Sequence, residues 1–167
     1  VPGRFQSYWE QISAAFGDVG DHLIFEGLNE EGTFYPGGNP SSGPDYAPLN
    51  QLNQLFVTTV RAAGGYNASR GLLIAGFATD IDKTCAAGFT VPTDPAGDHS
   101  MFLSLHYYTP YPFCLMSDVA DWGYGPVYPA KTWGTAEEQA ELQSQFSKLS
   151  AFATQHKTPV ILGEFAV

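Results

Sequence analysis

Hydrophobic residues recur at helical spacing in three parts of the chain. The first part is the beginning of the chain, where Gly17 and Gly20 end the predicted helix. A second helix is predicted from Leu49 to the pair Gly64-Gly65. A third follows Thr135, because Thr135 and Glu138 have the spacing of a capping box, and it ends near residue 156. The apolar faces carry Phe5, Trp9, Ile12 and Phe16; Leu52, Leu55, Phe56, Val60 and Ala63; and Leu142, Phe146, Leu149 and Phe152.

Four short apolar runs predict buried β-strands. They cover residues 23–28, 71–75, 101–105 and 160–162. Alternation of these runs with the helical segments is typical of an α/β fold with a parallel sheet. Glu26 is the charged residue inside the first run, so we expect it to have a polar partner.

Two long connections follow the predicted strands, at residues 32–48 and from 106 to about 134. Loops at the carboxyl ends of strands commonly build binding sites. They contain many aromatic rings, which suit the flat apolar faces of sugars but could equally attach the loops to the core. Among them we select Trp133 as a candidate substrate-binding residue. A helical turn is predicted near residues 80–84.

The chain has 167 residues, enough for one domain with a hydrophobic core. Its net charge is −10, which argues against nucleic acid or an anionic membrane as partner and is compatible with a neutral substrate. No run is long enough to span a bilayer. The chain begins at Val1 rather than Met and without a signal-like segment, so we expect a processed or shortened chain.

The two cysteines lack the spacing of a metal site, and we predict no cofactor and no metal. Cys85 follows the second predicted strand and Cys114 follows the third, so both loops would lie at the same rim of the sheet. A disulfide and two buried thiols are equally compatible with this placement. A disulfide would fit a secreted protein.

Two glutamates stand where predicted strands end, Glu30 after the first run and Glu164 after the last. The carboxyl ends of parallel strands are where α/β folds place their chemistry. Two carboxyl groups about 5 Å apart can hydrolyse a glycosidic bond with retention, one as acid/base and one as nucleophile. Asn29 could then bind a sugar hydroxyl. Ordinary solvated surface is the alternative explanation for both glutamates.

His106 and Tyr108 follow the third predicted strand at a spacing of two residues. In extended backbone this spacing points both side chains to the same face, where they could orient the nucleophile. A hydrogen-bonded core histidine is the simpler interpretation of His106.

Four segments together resemble the family 5 glycoside hydrolases, the endoglucanases of clan A. They are FEGLNE around Glu30, residues 49–76, HYYTPYPFC at 106–114 and PVILGEF at 159–165. The similarity is greatest to the branch that acts on β-1,4-glucan, xyloglucan and mixed-linkage glucan. The chain departs from the family pattern at Glu31, where proline is common, and at Ala166, where glycine is usual.

The resemblance implies Glu30 as acid/base, Glu164 as nucleophile, and Asn29, His106 and Tyr108 as residues that line the site. It also implies a TIM (β/α)8 barrel, which has eight strands and about 250 residues. Residues 1–167 then form a single partial catalytic domain, half a barrel with strands four to seven. The other four strands are missing, and with them the family's arginine near the nucleophile, a site histidine and a substrate-stacking tryptophan.

Half a barrel leaves two strand edges unpaired and its inner face uncovered. We therefore expect a homodimer or a higher homo-oligomer in which two chains complete one barrel. The predicted function is a secreted retaining endo-β-1,4-glucanase acting on a β-glucan polysaccharide or oligosaccharide. Two alternatives remain: a catalytically impaired glycan-binding fragment, and a fragment that folds only by exchange between chains and has no function of its own.

Overall fold

The computed structural model describes residues 2–20, 22–97 and 100–166. Short 3₁₀ turns interrupt the loops at Pro36–Gly38, Pro40–Ser42, Gly65–Ala68 and Phe77–Thr79. Within the described ranges, no helix combines the length and the apolar character needed to cross a membrane. In chain order the helices and strands are α1 (Pro2–Ala15), β1 (Phe25–Glu26), α2 (Tyr46–Ala62), β2 (Leu72–Ala75), α3 (Ile81–Thr84), β3 (Met101–Tyr107), α4 (Tyr111–Cys114), β4 (Ala120–Asp121), β5 (Pro126–Val127), α5 (Ala136–His156) and β6 (Val160–Phe165).

The main sheet has four strands in the order β1-β2-β3-β6, and every neighbouring pair is parallel. This confirms the predicted half of a TIM barrel with its helices. Strand β1 is shorter than predicted, because its ladder with β2 covers only Phe25 and Glu26. Strands β3 and β6 are longer than predicted, since their ladder continues to Tyr107 and Phe165. The short antiparallel pair β4-β5 lies in the loop after β3.

The helices α1 and α2 cover one face of the sheet. The ring of Trp9 in α1 lies 4.4 Å from that of Phe56 in α2 and 5.5 Å from that of Phe25 in β1, measured between centroids. Alternate residues of β2 and β3 complete this core, as the period of two in a strand requires. They are Leu72, Ile74, Leu103 and Leu105, all fully buried.

Helix α5 begins with the predicted capping box. The Glu138 N–H donates to the Thr135 hydroxyl, and the Glu138 carboxylate accepts from the N–H of Thr135. The helix ends at His156, and the next residue, Lys157, takes the left-handed conformation. Leu149 attaches α5 to the core.

The opposite face of the sheet corresponds to the interior of a barrel and is only partly covered. Ile24, just before β1, is 43% exposed, and Phe102 and Ile161 are half-buried. Within the described ranges, β1 pairs only with β2, and β6 pairs only with β3. The two outer strands therefore each present a free edge.

Candidate active site

Glu30 lies in the turn after β1, at the carboxyl edge of the sheet. Its φ of 49° places it in the left-handed region, which is uncommon for a residue other than glycine. The next residue anchors this turn, because the Ala78 N–H donates to the Glu31 carbonyl at 2.8 Å. The turn after β1 is thus held to the turn after β2.

Glu164 lies near the end of β6, beside His106 of β3. The register of the two strands shifts between Leu105, which pairs with Leu162, and His106, which pairs with Glu164. Gly163 is the extra residue in β6, and a Cβ atom there would lie 3.5 Å from His106 Nε2. This irregularity brings Glu164 level with the histidine.

His106 joins the two glutamates. Its Nδ1 lies 2.8 Å from Glu30 Oε1 and 3.3 Å from Glu164 Oε2. The three atoms all lie within 4.8 Å of one another. The side chain of His106 is 4% exposed, whereas those of Glu30 and Glu164 are 46% and 43% exposed. A buried ring therefore fixes the inner side of the cluster, and both carboxylates remain accessible from outside.

Tyr108 contacts Glu164 as well. Its hydroxyl donates to Glu164 Oε2 at 2.8 Å. This hydrogen bond, with desolvation and the charges of Glu164 and Glu30, raises the pKa of Tyr108 above its ordinary value. The phenol therefore stays protonated and remains a donor at neutral pH. The predicted placement of His106 and Tyr108 on one face is found in the structure.

Sequence reasoning missed Ser104, which belongs to the same face. Its hydroxyl donates to Glu26 Oε1, so Glu26 has the polar partner that its position in an apolar run predicted. The signal was present in the sequence, because Ser104, His106 and Tyr108 follow the strand period of two.

The other candidates occupy different places. Asn29 is exposed and directly precedes Glu30. Trp133 is 41% exposed and lines a mostly apolar cavity of about 490 Å³, which the three residues of the Glu30 cluster do not line. The two thiols are not joined in the structure, which leaves Cys85 and Cys114 free and half-buried. The predicted role of Trp133 in binding substrate stays a prediction.

Comparison with known proteins identifies the family of the chain. The family Cellulase (glycosyl hydrolase family 5) matches residues 3–167. Endoglucanase A of Paenibacillus barcinonensis is 38% identical over 99% of this chain and 43% of its own length. A GH5-4 broad specificity endoglucanase from an uncultured bovine rumen ciliate superimposes with a TM-score of 0.84 at 36% identity, over 98% of this chain and 46% of its own.

The Bacteroides ovatus GH5 xyloglucanase, solved in complex with a XXXG heptasaccharide, superimposes with a TM-score of 0.77 at 33% identity. The match covers 98% of this chain and 35% of that one. The chain thus spans less than half the length of these relatives. Because the family profile matches nearly every residue, the chain belongs to the cellulases of glycosyl hydrolase family 5.

Proposed function

We propose that this chain is one partial catalytic domain of a retaining endo-β-1,4-glucanase. The observation that carries the proposal is the pair of accessible carboxylates, Glu30 and Glu164, which share the Nδ1 atom of His106. Their nearest oxygens lie within 4.8 Å. Retaining enzymes hold their carboxyl groups about 5 Å apart, whereas inverting enzymes need about 6.5–9.5 Å to admit a water molecule.

Glu164 suits the nucleophile and Glu30 the acid/base. The Tyr108 hydroxyl donates to Glu164 Oε2 at 2.8 Å, and this hydrogen bond orients the carboxylate that attacks the anomeric carbon. Glu30 then protonates the leaving glycosidic oxygen. In the second half of the reaction Glu30 takes a proton from water, which attacks the glycosyl–Glu164 intermediate and releases a product of unchanged configuration.

The names of the relatives support the substrate class. They include an endoglucanase and a xyloglucanase that was solved with an oligosaccharide. We propose cellulose-type β-1,4-glucan, xyloglucan or mixed-linkage glucan as substrates, and Asn29 as a contact to a sugar hydroxyl. A neutral polysaccharide is compatible with the net charge of −10. Since such polymers do not enter cells, we also propose that the protein is secreted.

Exchange of each carboxylate tests the proposed roles. Glu164→Gln and Glu30→Gln should each abolish the release of reducing ends from soluble β-glucan, with unchanged folding by circular dichroism. Glu137→Gln, at an exposed position in the first turn of α5, is the matched control and should retain activity. NMR of the first product should show the β-anomer. Full activity in both site variants, or an α-anomer as first product, would contradict the proposal.

A glycan-binding fragment without turnover is the second candidate. The exposed rings around the β4-β5 pair favour it, because Trp122, Tyr124 and Tyr128 are 55%, 96% and 65% exposed. Aromatic faces stack on sugar rings regardless of the catalytic pair. Calorimetry with cello-oligosaccharides on the unmodified chain separates the two candidates: binding without any hydrolysis supports this one.

We also propose that two copies of the chain assemble into one closed barrel. Four parallel strands are half of the eight in a TIM barrel, and both outer strands have free edges. The inner face exposes Ile24 and leaves Phe102 and Ile161 half-buried. Light scattering should give twice the chain mass of 18.0 kDa, or a higher multiple. A stable folded monomer at micromolar concentration would contradict this assembly.

A further inference from the structure

We propose that Glu30, His106 and Glu164 together bind a divalent transition-metal ion such as Zn²⁺, and that the bound ion switches the site off. The binding half of the proposal rests on the geometry of the three side chains. The inhibitory half rests on the proposed function, because it requires that the two carboxylates carry out the hydrolysis.

The donor atoms have the chemistry of a zinc site. One imidazole nitrogen and two carboxylate oxygens are ligands that Zn²⁺ accepts, and three protein ligands leave a fourth position for water. Tetrahedral zinc with bonds of about 2.1 Å places its ligand atoms about 3.4 Å apart. His106 Nδ1 already lies 2.8 Å from Glu30 Oε1 and 3.3 Å from Glu164 Oε2. The set spans at most 4.8 Å, so closing it requires small side-chain movements.

One side chain of the cluster is held in place, and the other two can move to bind an ion. The His106 ring is held by burial, with 4% of the side chain exposed. In the tautomer that carries its proton on Nε2, the Nδ1 lone pair points between the carboxylates. Both glutamate side chains are nearly half exposed and can adjust around an ion. The Tyr108 hydroxyl on Glu164 Oε2 acts as an outer partner that orients a ligand.

Charge favours the same ion. Two carboxylates meet at a single imidazole nitrogen, so one ring proton at most is shared between two negative groups. A divalent cation between them balances both charges. Once coordinated, Glu30 can no longer donate its proton and Glu164 can no longer attack. Zinc binding therefore excludes catalysis rather than assisting it.

Calorimetric titration of the full chain with Zn²⁺, in a buffer that does not coordinate metal, tests binding. We expect one ion per Glu30–His106–Glu164 cluster. His106→Gln should weaken binding more than about 100-fold, because loss of an outer partner alone costs about 10- to 100-fold. Tyr108→Phe should weaken Zn²⁺ binding by about 10- to 100-fold, the range for an outer partner. Because His106 is buried, its exchange can disturb folding. Glu30→Gln serves as a second variant, since the Glu30 side chain is 46% exposed and its exchange should leave the fold intact.

His156→Gln is the matched control, because His156 is an exposed histidine at the end of α5. It should bind Zn²⁺ like the unmodified chain. Equal affinity in the unmodified chain, His106→Gln and Glu30→Gln would overturn the site. In the activity arm, saturating Zn²⁺ should stop β-glucan hydrolysis and a chelator should restore it; hydrolysis that continues unchanged overturns the inhibitory half. A chain without any activity contradicts the proposed function instead, and calorimetry still decides on the metal site.

Discussion

Glu164 Oε2 is the most heavily contacted oxygen of the candidate site, because His106 Nδ1 and the Tyr108 hydroxyl both lie against it. Glu30 Oε1 has a hydrogen bond to His106 but none to Tyr108. This asymmetry at the level of single atoms supports the proposed roles, Glu164 as nucleophile and Glu30 as acid/base.

Removal of the Tyr108 hydroxyl tests that asymmetry. Tyr108→Phe deletes the donor to Glu164 and should lower kcat/KM on soluble β-glucan about 10- to 100-fold, since a hydrogen bond to a charged group contributes about 1.5–3 kcal/mol. The variant should keep its thermal stability. Tyr124→Phe provides the control, because that ring is 96% exposed. Similar kinetics in both variants would show that the hydroxyl of Tyr108 plays no part in the reaction.

A second residue pair controls stability rather than chemistry. Arg61 and Asp94 form a bidentate ion pair at 2.7 and 2.8 Å, and both side chains are 4% exposed. Burial by itself raises the pKa of Asp94, but the hydrogen bonds from Arg61 and the Ala96 N–H, with the charge of Arg61, outweigh it and lower that pKa. The pair therefore stabilises the folded chain above the ordinary aspartate pKa, and this contribution is lost as the pH falls through the lowered value.

Asp94→Asn should reduce the free energy of unfolding by about 3 kcal/mol at pH 7, because it leaves Arg61 buried without its counter-ion. The difference from the unmodified chain should stay constant above about pH 5 and shrink below about pH 4. Urea unfolding at a series of pH values measures the loss of stability at pH 7 and its change with pH. Asp82→Asn is the control, since the Asp82–Lys148 pair is exposed and should contribute about 1 kcal/mol or less. A pH-independent difference for Asp94→Asn would refute the linkage.

At this scale the sequence could predict which residues belong to the candidate site, but not all the residues that they contact. Glu30, His106, Tyr108 and Glu164 were predictable because each follows or ends an apolar run, where strand periodicity fixes direction. The left-handed backbone conformation of Glu30 could not be predicted, because glutamate rarely adopts it. Arg61 and Asp94 are 33 positions apart, and neither the helical spacing nor any local motif joins them.

The connection between α1 and β1 depends on one buried side chain from another part of the chain. Arg70 is fully buried and uses all five of its N–H groups. One donates to Asn67 Oδ1, and the others donate to carbonyls of the connecting segment, at distances of 2.6 to 3.0 Å. The carbonyls belong to Phe16, Val19, Gly20 and Leu23. The guanidinium thus replaces the hydrogen bonds that the end of a helix lacks.

Arg70→Met should lower the free energy of unfolding by about 4 kcal/mol or more, because it leaves several buried carbonyls without a donor. The free energy of unfolding of Arg70→Lys should lie between that of the unmodified chain and that of Arg70→Met, since an ammonium group has three donors instead of five. Urea unfolding gives the magnitude, and hydrogen exchange should become faster first in the segment between α1 and β1. Arg4→Met, at an exposed position of α1, should change stability by about 0.5 kcal/mol or less. An equal loss in Arg4→Met and Arg70→Met would remove the special role of Arg70.

Elements were predictable where a pattern is local. The helices, their capping box and the four strands follow from spacing and from residues that end them. Their bounds depend on pairing partners that no local pattern specifies: β1 pairs with β2 at Phe25 and Glu26 only, and β6 extends to Phe165 because β3 lies beside it. The extra residue Gly163, which aligns Glu164 with His106, is a property of two strands together.

At the scale of the whole molecule, the open sheet leaves one edge of each outer strand unpaired within the described residues. The free edge of β6 carries Phe165, which is 59% exposed beside the cavity lined by Phe146 and Trp133. An exposed apolar edge of this kind invites pairing with another chain. In the proposed assembly, this edge meets the edge of a second copy.

Phe165→Asp should therefore shift the chain from the assembled state to the monomer, because a charge would have to be buried at the new strand pair. Light scattering across a dilution series measures the shift, and the dissociation constant should rise at least about 10-fold, which corresponds to about 1.4 kcal/mol. Tyr66→Asp replaces a ring that is 55% exposed in the turn after α2 and should leave the mass unchanged. If both variants keep the mass of the unmodified chain, β6 does not form the contact between copies.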